Sequence, residues 1–257
     1  MKEKQTASVI SQKEIATDIY DCWIATSLAK QAKPGQFICV YPKDRSTLLP
    51  RPISICEVNA DKTALRIVYR VAGAGTREFS GYQAGDSISV LGTLGNGFPL
   101  DKAEGKRAFL MGGGIGVPPI LQLSKELQAD SKTVIVGYRD SKTFLKEDFE
   151  QYADVVIATE DGSVGTKGNV MNAIEANALE ADVIFACGPM PMLRAIKAYA
   201  EKKNIPAYIS LEEHMACGVG ACLGCVVKTA EVDHHSHVHN ARICTDGPVF
   251  EAADVNI

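Results

Sequence analysis

Residues 108–119 read AFLMGGGIGVPP, an apolar run followed by a glycine cluster and two prolines. The apolar run predicts a buried strand, and the prolines suit the first positions of a helix. Glycines at such a turn let the backbone approach a pyrophosphate at the positive end of the helix. Val117 stands where the strict dinucleotide fingerprint has its third glycine, and glycine-rich turns also form for packing alone. The stretch therefore predicts an α/β unit and leaves nucleotide binding as a hypothesis.

Strand-like and helix-like segments alternate from Arg107 to Leu211, which predicts a parallel sheet with helices on both faces. We expect strands at residues 108–111, 133–137, 155–159, 183–187 and 207–211, and helices at 118–128, 144–152, 170–177 and 191–203. Cys187-Gly188-Pro189 ends the fourth strand, and open α/β sheets bind ligands at the carboxyl ends of their strands. Taken alone, this segment more readily indicates a buried cysteine and an ordinary strand-to-helix turn.

Short strands and turns make up the chain before this unit. We expect strands at residues 37–41, 52–58, 65–71 and 86–91, and several short strands at this spacing predict an antiparallel sandwich or barrel. Within it, Arg51-Pro52-Ile53-Ser54, Val68-Tyr69-Arg70 and Gly75-Thr76 suit a pyrophosphate cradle with a tyrosine beside a planar ring. Without other clues, the same residues indicate surface arginines, a packing tyrosine and a hairpin loop.

Four cysteines form the sharpest pattern in the chain: Cys217, Cys222, Cys225 and Cys244. The first three have the spacing C-x4-C-x2-C, which is the plant-type spacing of a [2Fe–2S] cluster. Three glycines permit the tight loop that converging thiolates need: Gly218, Gly220 and Gly224. A structural zinc site and a set of buried free thiols are the alternatives, although structural zinc usually takes paired C-x2-C knuckles.

Four of the five histidines lie at residues 234–239, between the third and fourth of these cysteines. We expect an exposed loop there, with a metal site as the alternative.

The cysteine-rich segment is too short for a confident core of its own, so we expect a further constraint to stabilise its fold. We accordingly divide the chain into three domains, at residues 1–103, 104–211 and 212–257.

The composition excludes several classes of protein. It is 46% hydrophobic and 23% charged, as in globular proteins, and the net charge of −4 gives no basic excess for nucleic acid. The longest uncharged stretch, Ala108–Ser124, is too short to span a bilayer, and the first residues do not resemble a signal peptide. We expect a cytoplasmic protein without a membrane partner, whose eight cysteines are ligands or core residues.

Together these motifs resemble the ferredoxin–NADP reductase superfamily, through RPIS at residues 51–54, the glycine-rich loop at 111–119 and CGP at 187–189. The segment MACGVGACLGC at 215–225, with RICTDGPVF at 242–250, narrows the resemblance to the electron-transfer subunits of type B dihydroorotate dehydrogenases. The resemblance covers essentially the whole chain. Its cysteine segment is highly specific, whereas the glycine-rich loop is typical of the whole superfamily. The histidine-rich spacer before the last cysteine looks longer than usual, which leaves the ligands intact.

The resemblance implies an antiparallel FAD-binding β-barrel, an α/β parallel-sheet NAD-binding domain and a small C-terminal [2Fe–2S] module. It implies FAD contacts at Arg51, Pro52, Ile53, Ser54, Val68, Tyr69, Arg70, Gly75 and Thr76. It implies NAD contacts at Gly112, Gly113, Gly114, Gly116, Cys187, Gly188 and Pro189, with Cys187 near the nicotinamide. It implies cluster ligands at Cys217, Cys222, Cys225 and Cys244. Superfamily members also use residues 95–98 and 160–162 near the flavin and the nicotinamide nucleotide.

The family's function follows from the same resemblance. A separate FMN-containing catalytic subunit oxidises dihydroorotate to orotate in pyrimidine biosynthesis, and electrons pass through the cluster and FAD to NAD+. FAD belongs between the other two because hydride carries two electrons, whereas an iron–sulfur cluster takes one at a time. The family assembly is a heterotetramer with two copies of each subunit. The chain is thus expected to be an oxidoreductase subunit with an obligate partner.

Other functions remain open from the residues alone. Asp140 suits the ribose diol of NAD, whereas Arg139 and Lys142 suit the 2′-phosphate of NADP, and only the resemblance favours NAD. One alternative is the small subunit of a sulfide dehydrogenase or of an electron-bifurcating ferredoxin–NADP oxidoreductase. A second is a non-catalytic, zinc-stapled subunit that senses nucleotides. A third is an NADH–acceptor reductase that needs no partner.

Overall fold

Six antiparallel strands close into a barrel at the start of the chain, in a computed structural model that describes residues 3–44, 46–232 and 238–257. They are β1 (Glu3–Ala16), β2 (Ile19–Ala25), β3 (Phe37–Tyr41), β4 (Arg51–Val58), β5 (Ala64–Arg70) and β6 (Ser87–Leu94). Their order around the barrel is β1-β2-β5-β4-β3-β6. Helix α1 (Ala74–Phe79) lies between β5 and β6. The predicted antiparallel barrel is confirmed.

Side chains alternate between the inside and the outside of the barrel. On β3, Ile38 and Val40 join the apolar core inside, whereas Phe37 and Cys39 pack outside against the rest of the chain. The sequence did not predict β1 or β2. Strand β1 consists mainly of small and polar residues, EKQTASVISQKEIA, so its apolar alternation is too weak to indicate a strand.

A parallel sheet follows, in the order β10-β9-β8-β7-β11-β12. Its strands are β7 (Arg107–Gly113), β8 (Ser131–Tyr138), β9 (Asp154–Thr159), β10 (Thr166–Lys167), β11 (Val183–Cys187) and β12 (Ala207–Ser210). Its helices are α2 (Pro118–Glu126), α3 (Lys146–Phe149), α4 (Val170–Ala176) and α5 (Met190–Lys203). Apolar residues of α2 and α3 pack on one face of the sheet and those of α4 and α5 on the other. The predicted α/β architecture is confirmed.

The helix predicted at residues 144–152 is wrong in its extent, because only Lys146–Phe149 is helical. Leu145 adopts a left-handed backbone conformation with φ of 66°, so the helix cannot begin before it. The predicted strand at 183–187 has the observed bounds, and the other predicted strands of the sheet end within a few residues of the observed ones.

The C-terminal segment is attached to both larger parts. Its strands are β13 (Val226–Lys228), β14 (Asn240–Arg242) and β15 (Val249–Glu251). The first two form a hairpin, and β15 extends the sheet by pairing antiparallel with β12. The backbone N–H of Asn96, in the barrel loop after β6, donates to the Gly247 carbonyl at 2.6 Å. Contacts with the barrel and the sheet therefore stabilise the segment.

Arg66 is a buried charge that links the barrel to the α/β part. Its guanidinium donates to both carboxylate oxygens of Asp21, at 3.0 and 2.8 Å, and to Glu57 at 3.1 Å and Asp148 at 3.0 Å. Asp148 lies on α3, and Lys125 of α2 donates to Glu57 at 3.1 Å. Arg66 and Asp21 are only 8% and 3% exposed, so each relies on the other for the solvation that it has lost.

We expect Arg66→Met to lower the free energy of unfolding by about 3–5 kcal/mol, because it leaves a buried carboxylate without its partner. Arg107→Met is the matched control, since Arg107 pairs with Asp182 and Glu180 at the surface, where ion pairs contribute little. Urea unfolding followed by circular dichroism measures both variants. Equal losses of stability would contradict the role assigned to Arg66.

Candidate functional site

A cleft of about 470 Å³ opens where the barrel, the sheet and the C-terminal segment meet. Six of the residues that line it were predicted from the sequence: Pro52, Ile53, Ser54, Val68, Tyr69 and Arg70. The sequence did not single out the remaining lining residues as flavin contacts. They are Phe37, Ala72, Ile115, Ser210, Leu211, Glu212, Glu213, His214, Met215 and Pro248. A signal for residues 210–215 was present, since they follow the carboxyl end of a predicted strand, where α/β sheets bind ligands.

Tyr69 is held rigidly in the wall of this first cleft. Its ring stacks on Tyr20 with centroids 5.9 Å apart, and meets Phe79 edge-on at 6.2 Å. Its hydroxyl donates to Oε1 of Gln12 at 2.8 Å. Burial, with smaller contributions from Cys22, Tyr20 and Tyr82, raises the pKa of Tyr69 above its ordinary value, so the hydroxyl stays neutral. Tyr69 is only 4% exposed and packs in the apolar core of the barrel, so it forms a fixed, uncharged part of the cleft wall.

Arg51, Gly75 and Thr76 come together at the start of α1. A methyl group on Gly75 would come 2.9 Å from Nε of Arg51, so the guanidinium covers the beginning of the helix. The hydroxyl of Thr76 accepts hydrogen bonds from the N–H groups of Ala72 and Gly73, at 2.9 and 3.2 Å. Thr76 thus shapes the turn on which Arg51 rests.

A second cleft, of about 510 Å³, lies between the barrel and the carboxyl ends of the parallel strands. The barrel contributes the β1–β2 turn at residues 16–19, and the sheet contributes Gly113, Gly114 and Pro189. Arg70 and Ile115 line both clefts, so the two spaces adjoin at these residues. Two ligands, one in each cleft, would therefore meet at this point.

Tight backbone packing holds together the two segments that line the second cleft. Strands β7 and β11 pair in parallel with Gly112 opposite Cys187, and a methyl group on Gly116 would collide with the Cys187 carbonyl. A methyl group on Gly188 would come 3.2 Å from the Gly113 nitrogen. The structure thus brings the glycine-rich loop and the CGP segment together, as neighbouring strand ends of one sheet.

Cys187 itself is fully buried and is not among the lining residues of either cleft. It pairs in register with Ser210, which lines the first cleft. Burial, and to a smaller extent Glu212, raises the pKa of the Cys187 thiol well above its ordinary value. A thiol in these surroundings packs as a small apolar group and does not act as a nucleophile.

Polar residues at the ends of β8 and β9 line the outer part of the second cleft. Arg139, Asp140, Lys142 and Glu160 all contribute. The Lys142 ammonium donates to the Thr17 hydroxyl on the barrel turn, and Asp140 accepts a hydrogen bond from the Lys142 backbone at 2.9 Å. Lys142 is thus engaged with the barrel, and two carboxylates face the same space as Arg139.

The four cysteines of the C-terminal pattern approach one another as two pairs. Cys217 lies beside Cys222, and Cys244 lies beside Cys225 and within electrostatic range of Cys217. Cys222 is exposed, whereas Cys225 and Cys244 are buried. Gly218 and Gly220 have φ of 69° and 81°, in the left-handed region that favours glycine, which lets the loop curl around the thiols.

Backbone donors point at these sulfurs. The N–H groups of Val219 and Ala221 donate to Sγ of Cys217 at 3.4 and 3.3 Å, and that of Gly220 donates to Sγ of Cys244 at 3.2 Å. Burial alone would raise the pKa of Cys217, but backbone hydrogen bonds outweigh burial and lower this pKa to about 6. Amide donors aimed at thiolate sulfurs stabilise their negative charge, as iron–sulfur sites require.

This donor set fits a two-iron cluster better than a single metal ion. In the part of the chain that the structure describes, no three Cys, His, Asp or Glu side chains converge closely enough to hold one ion. Four cysteines at the plant-type spacing, with backbone N–H donors aimed at two of their sulfurs, would instead hold a [2Fe–2S] cluster. The expected histidine-rich loop at 234–239 falls largely outside the described residues, and His239 within them is exposed.

Residues 212–256 match the family model for the iron-sulfur cluster binding domain of dihydroorotate dehydrogenase B. The chain is 43% identical, over 99% of both sequences, to the dihydroorotate dehydrogenase B (NAD(+)), electron transfer subunit, of Bacillus cereus (strain B4264). The corresponding subunit of Bacillus mycoides (strain KBAB4) gives the same identity and coverage.

Solved structures share the fold. An NADH-dependent reduced ferredoxin–NADP oxidoreductase, described for flavin-based electron bifurcation, superposes with a TM-score of 0.86 at 28% identity, over 97% of this chain and 89% of that one. A ferredoxin NADP+ reductase from Neisseria gonorrhoeae superposes with a TM-score of 0.65 at 18% identity, over 77% of this chain and 91% of that one. Among the described residues, no helix is long and apolar enough to cross a membrane. The identity over nearly the full length shows that this chain belongs to the family of dihydroorotate dehydrogenase B (NAD(+)) electron-transfer subunits, which are oxidoreductase subunits.

Proposed function

We propose that this chain passes electrons from the FMN of a catalytic dihydroorotate dehydrogenase subunit, through a [2Fe–2S] cluster and FAD, to NAD+ in pyrimidine biosynthesis. The supporting observation is the continuity of the three sites. The cysteine loop packs on the barrel beside the first cleft, and the first cleft adjoins the second at Arg70 and Ile115. When bound, FAD exchanges single electrons with a cluster and hydride with a nicotinamide.

The first cleft is the proposed FAD site. Tyr69 and Ser54 orient the flavin ring, and the Arg51 guanidinium offsets the charge of the diphosphate beside the start of α1. The residues proposed to contact FAD are Arg51, Pro52, Ile53, Ser54, Val68, Tyr69, Arg70, Gly75 and Thr76. The rigid contacts of the Tyr69 ring favour this role, because a bound flavin needs a preformed wall.

The second cleft is the proposed NAD(H) site. Gly113, Gly114 and Pro189 expose backbone to it, while the residues packed beneath keep these segments in register. The residues proposed to form the site are Gly112, Gly113, Gly114, Gly116, Cys187, Gly188 and Pro189. Cys187 contributes its volume below the nicotinamide region, because its thiol is fully buried. Asp140 and Glu160 favour a ribose diol over a 2′-phosphate by charge.

The cluster ligands are proposed to be Cys217, Cys222, Cys225 and Cys244. Cys222 is the exposed one, and two apolar residues of the same loop are exposed as well, Leu223 at 62% and Val219 at 44%; we call these two residues the apolar rim. An electron donor that docks on this apolar rim approaches the cluster closely. We assign the rim to the FMN-containing catalytic subunit, in a heterotetramer with two copies of each chain. The eight unpaired cysteines suit a reducing compartment, the cytoplasm.

We expect Gly116→Ala to slow the reduction of bound flavin by NADH at least tenfold, because the added methyl group pushes the loop away from Cys187. Stopped-flow absorbance under anaerobic conditions measures this rate. Gly81→Ala is the control, since its methyl group would lie 3.4 Å from the nearest atom, the Glu78 carbonyl oxygen. Equal NADH reduction rates in the two variants would refute the proposed packing role.

The partner surface is tested with an FMN-containing dihydroorotate dehydrogenase catalytic subunit as the candidate partner. We expect the two chains to form a complex of two copies each, which forms NADH from dihydroorotate and NAD+. Leu223→Glu should weaken the complex by about tenfold or more, because it places a charge in an apolar contact. Ile10→Glu is the matched control, since Ile10 is an exposed apolar residue of the barrel, at 49%.

Light scattering after gel filtration gives the stoichiometry, and NADH absorbance gives the activity. Equal association of the Leu223→Glu and Ile10→Glu variants would reject the proposed docking surface. Failure of the wild-type chains to form NADH from dihydroorotate would reject the proposed reaction. An electron-bifurcating ferredoxin–NADP oxidoreductase subunit, favoured by the structural similarity to such an enzyme, would then be the second candidate.

A further inference from the structure

Strand β3 carries one row of outward side chains between the first cleft and the cysteine loop. Phe37 lines the cleft, Cys39 packs against the loop, and Tyr41 follows two residues later on the same face. Ile38 and Val40 between them point into the barrel. Because alternate residues of a strand share a face, this one strand spans the distance from the proposed flavin site to the proposed cluster site.

The contact between Cys39 and Gly218 is close. A methyl group on Gly218 would come 2.9 Å from Sγ of Cys39, and Gly218 directly follows the ligand Cys217. Cys39 is fully buried, in the same apolar cluster as Cys225 and Cys244. The ligand loop therefore touches the barrel at the Cys39 thiol.

The chemistry of the Cys39 side chain is that of an uncharged donor. Three proposed ligands, Cys244, Cys217 and Cys225, lie close enough to Cys39 for a negative charge on them to favour its protonated form, in the same direction as its burial. A thiol enclosed among apolar groups keeps its proton, and S–H is a weak hydrogen-bond donor. A thiolate sulfur of a bound cluster would be a strong acceptor for this S–H.

We propose that Cys39 is a positioning residue of the cluster, whose thiol packs against Gly218 and donates a hydrogen bond to a ligand sulfur, thereby raising the reduction potential of the cluster. This inference rests on the proposed function, since it requires the cluster at the four cysteines. Hydrogen bonds to the sulfurs stabilise the more negative, reduced state, and they are one of the means by which proteins set such potentials. The barrel thus tunes the cluster as well as holding the flavin.

The test compares Cys39→Val, which removes the donor, with Cys39→Ser, which keeps one. Cys22→Val and Cys22→Ser are matched controls, because Cys22 is equally buried in the same barrel but packs in its interior. Redox titration of the purified chain, followed by electron paramagnetic resonance, gives the midpoint potential and the spectrum of the reduced cluster. We expect a lower potential and an altered spectrum in Cys39→Val, and near wild-type values in Cys39→Ser and both controls.

An unchanged potential and spectrum in Cys39→Val would overturn the proposal, and so would equal shifts in Cys39→Val and Cys39→Ser. If Cys39→Val loses its cluster, Cys39→Ala is compared with Cys39→Ser in its place. Loss of the cluster in both apolar variants, with retention in Cys39→Ser, would support the need for a donor. A wild-type chain without any cluster signal would contradict the proposed function instead, so the two failures are distinguishable.

Discussion

The turn at residues 246–248 is the junction that holds the three parts of this chain in place. Asn96 of the barrel donates two hydrogen bonds to carbonyl oxygens of this turn, at 2.6 and 2.9 Å, and Leu211 at the end of the sheet donates a third at 2.9 Å. The Arg242 guanidinium closes the turn by donating to both carboxylate oxygens of Asp246, each at 3.0 Å. Cys244 lies between Arg242 and Asp246. The hydrogen bonds of the turn therefore fix this proposed cluster ligand against both the barrel and the sheet. Sites that exchange electrons need such rigid supporting elements.

The C-terminal segment gains its order from this junction, which explains how so short a segment can be stable. Strand β15 lies beside β12, and residues 212–215 form a wall of the first cleft. The segment therefore contributes both to the proposed cluster site and to the proposed flavin site. The Arg66 network joins the barrel to α2 and α3, so hydrogen bonds also connect the barrel with the sheet domain that encloses the second cleft. Fixed spacing between the clefts follows from these two attachments.

The features that could be predicted from the sequence are those that a local pattern of residues encodes. Features that depend on contacts between distant segments could not be predicted. Strand β11 was predicted with its observed bounds because VIFAC is apolar at every position and buried on both faces. The cysteine spacing indicated a cluster because the ligands lie close together in the chain. Strand β1 was missed because small and polar residues hide its alternation. The approach of Cys39 to Gly218 joins residues far apart in sequence, and no local pattern records it.

Anaerobic absorption spectra of the purified chain, before and after the addition of NADH, test most directly whether the three sites form one electron path. We predict flavin bands together with broad iron–sulfur absorption, both of which bleach when NADH is added. Bleaching of both chromophores requires hydride to reach the flavin and single electrons to reach the cluster. A colourless protein with zinc at the cysteines, or a flavin that NADH reduces while the cluster stays oxidised, would contradict this.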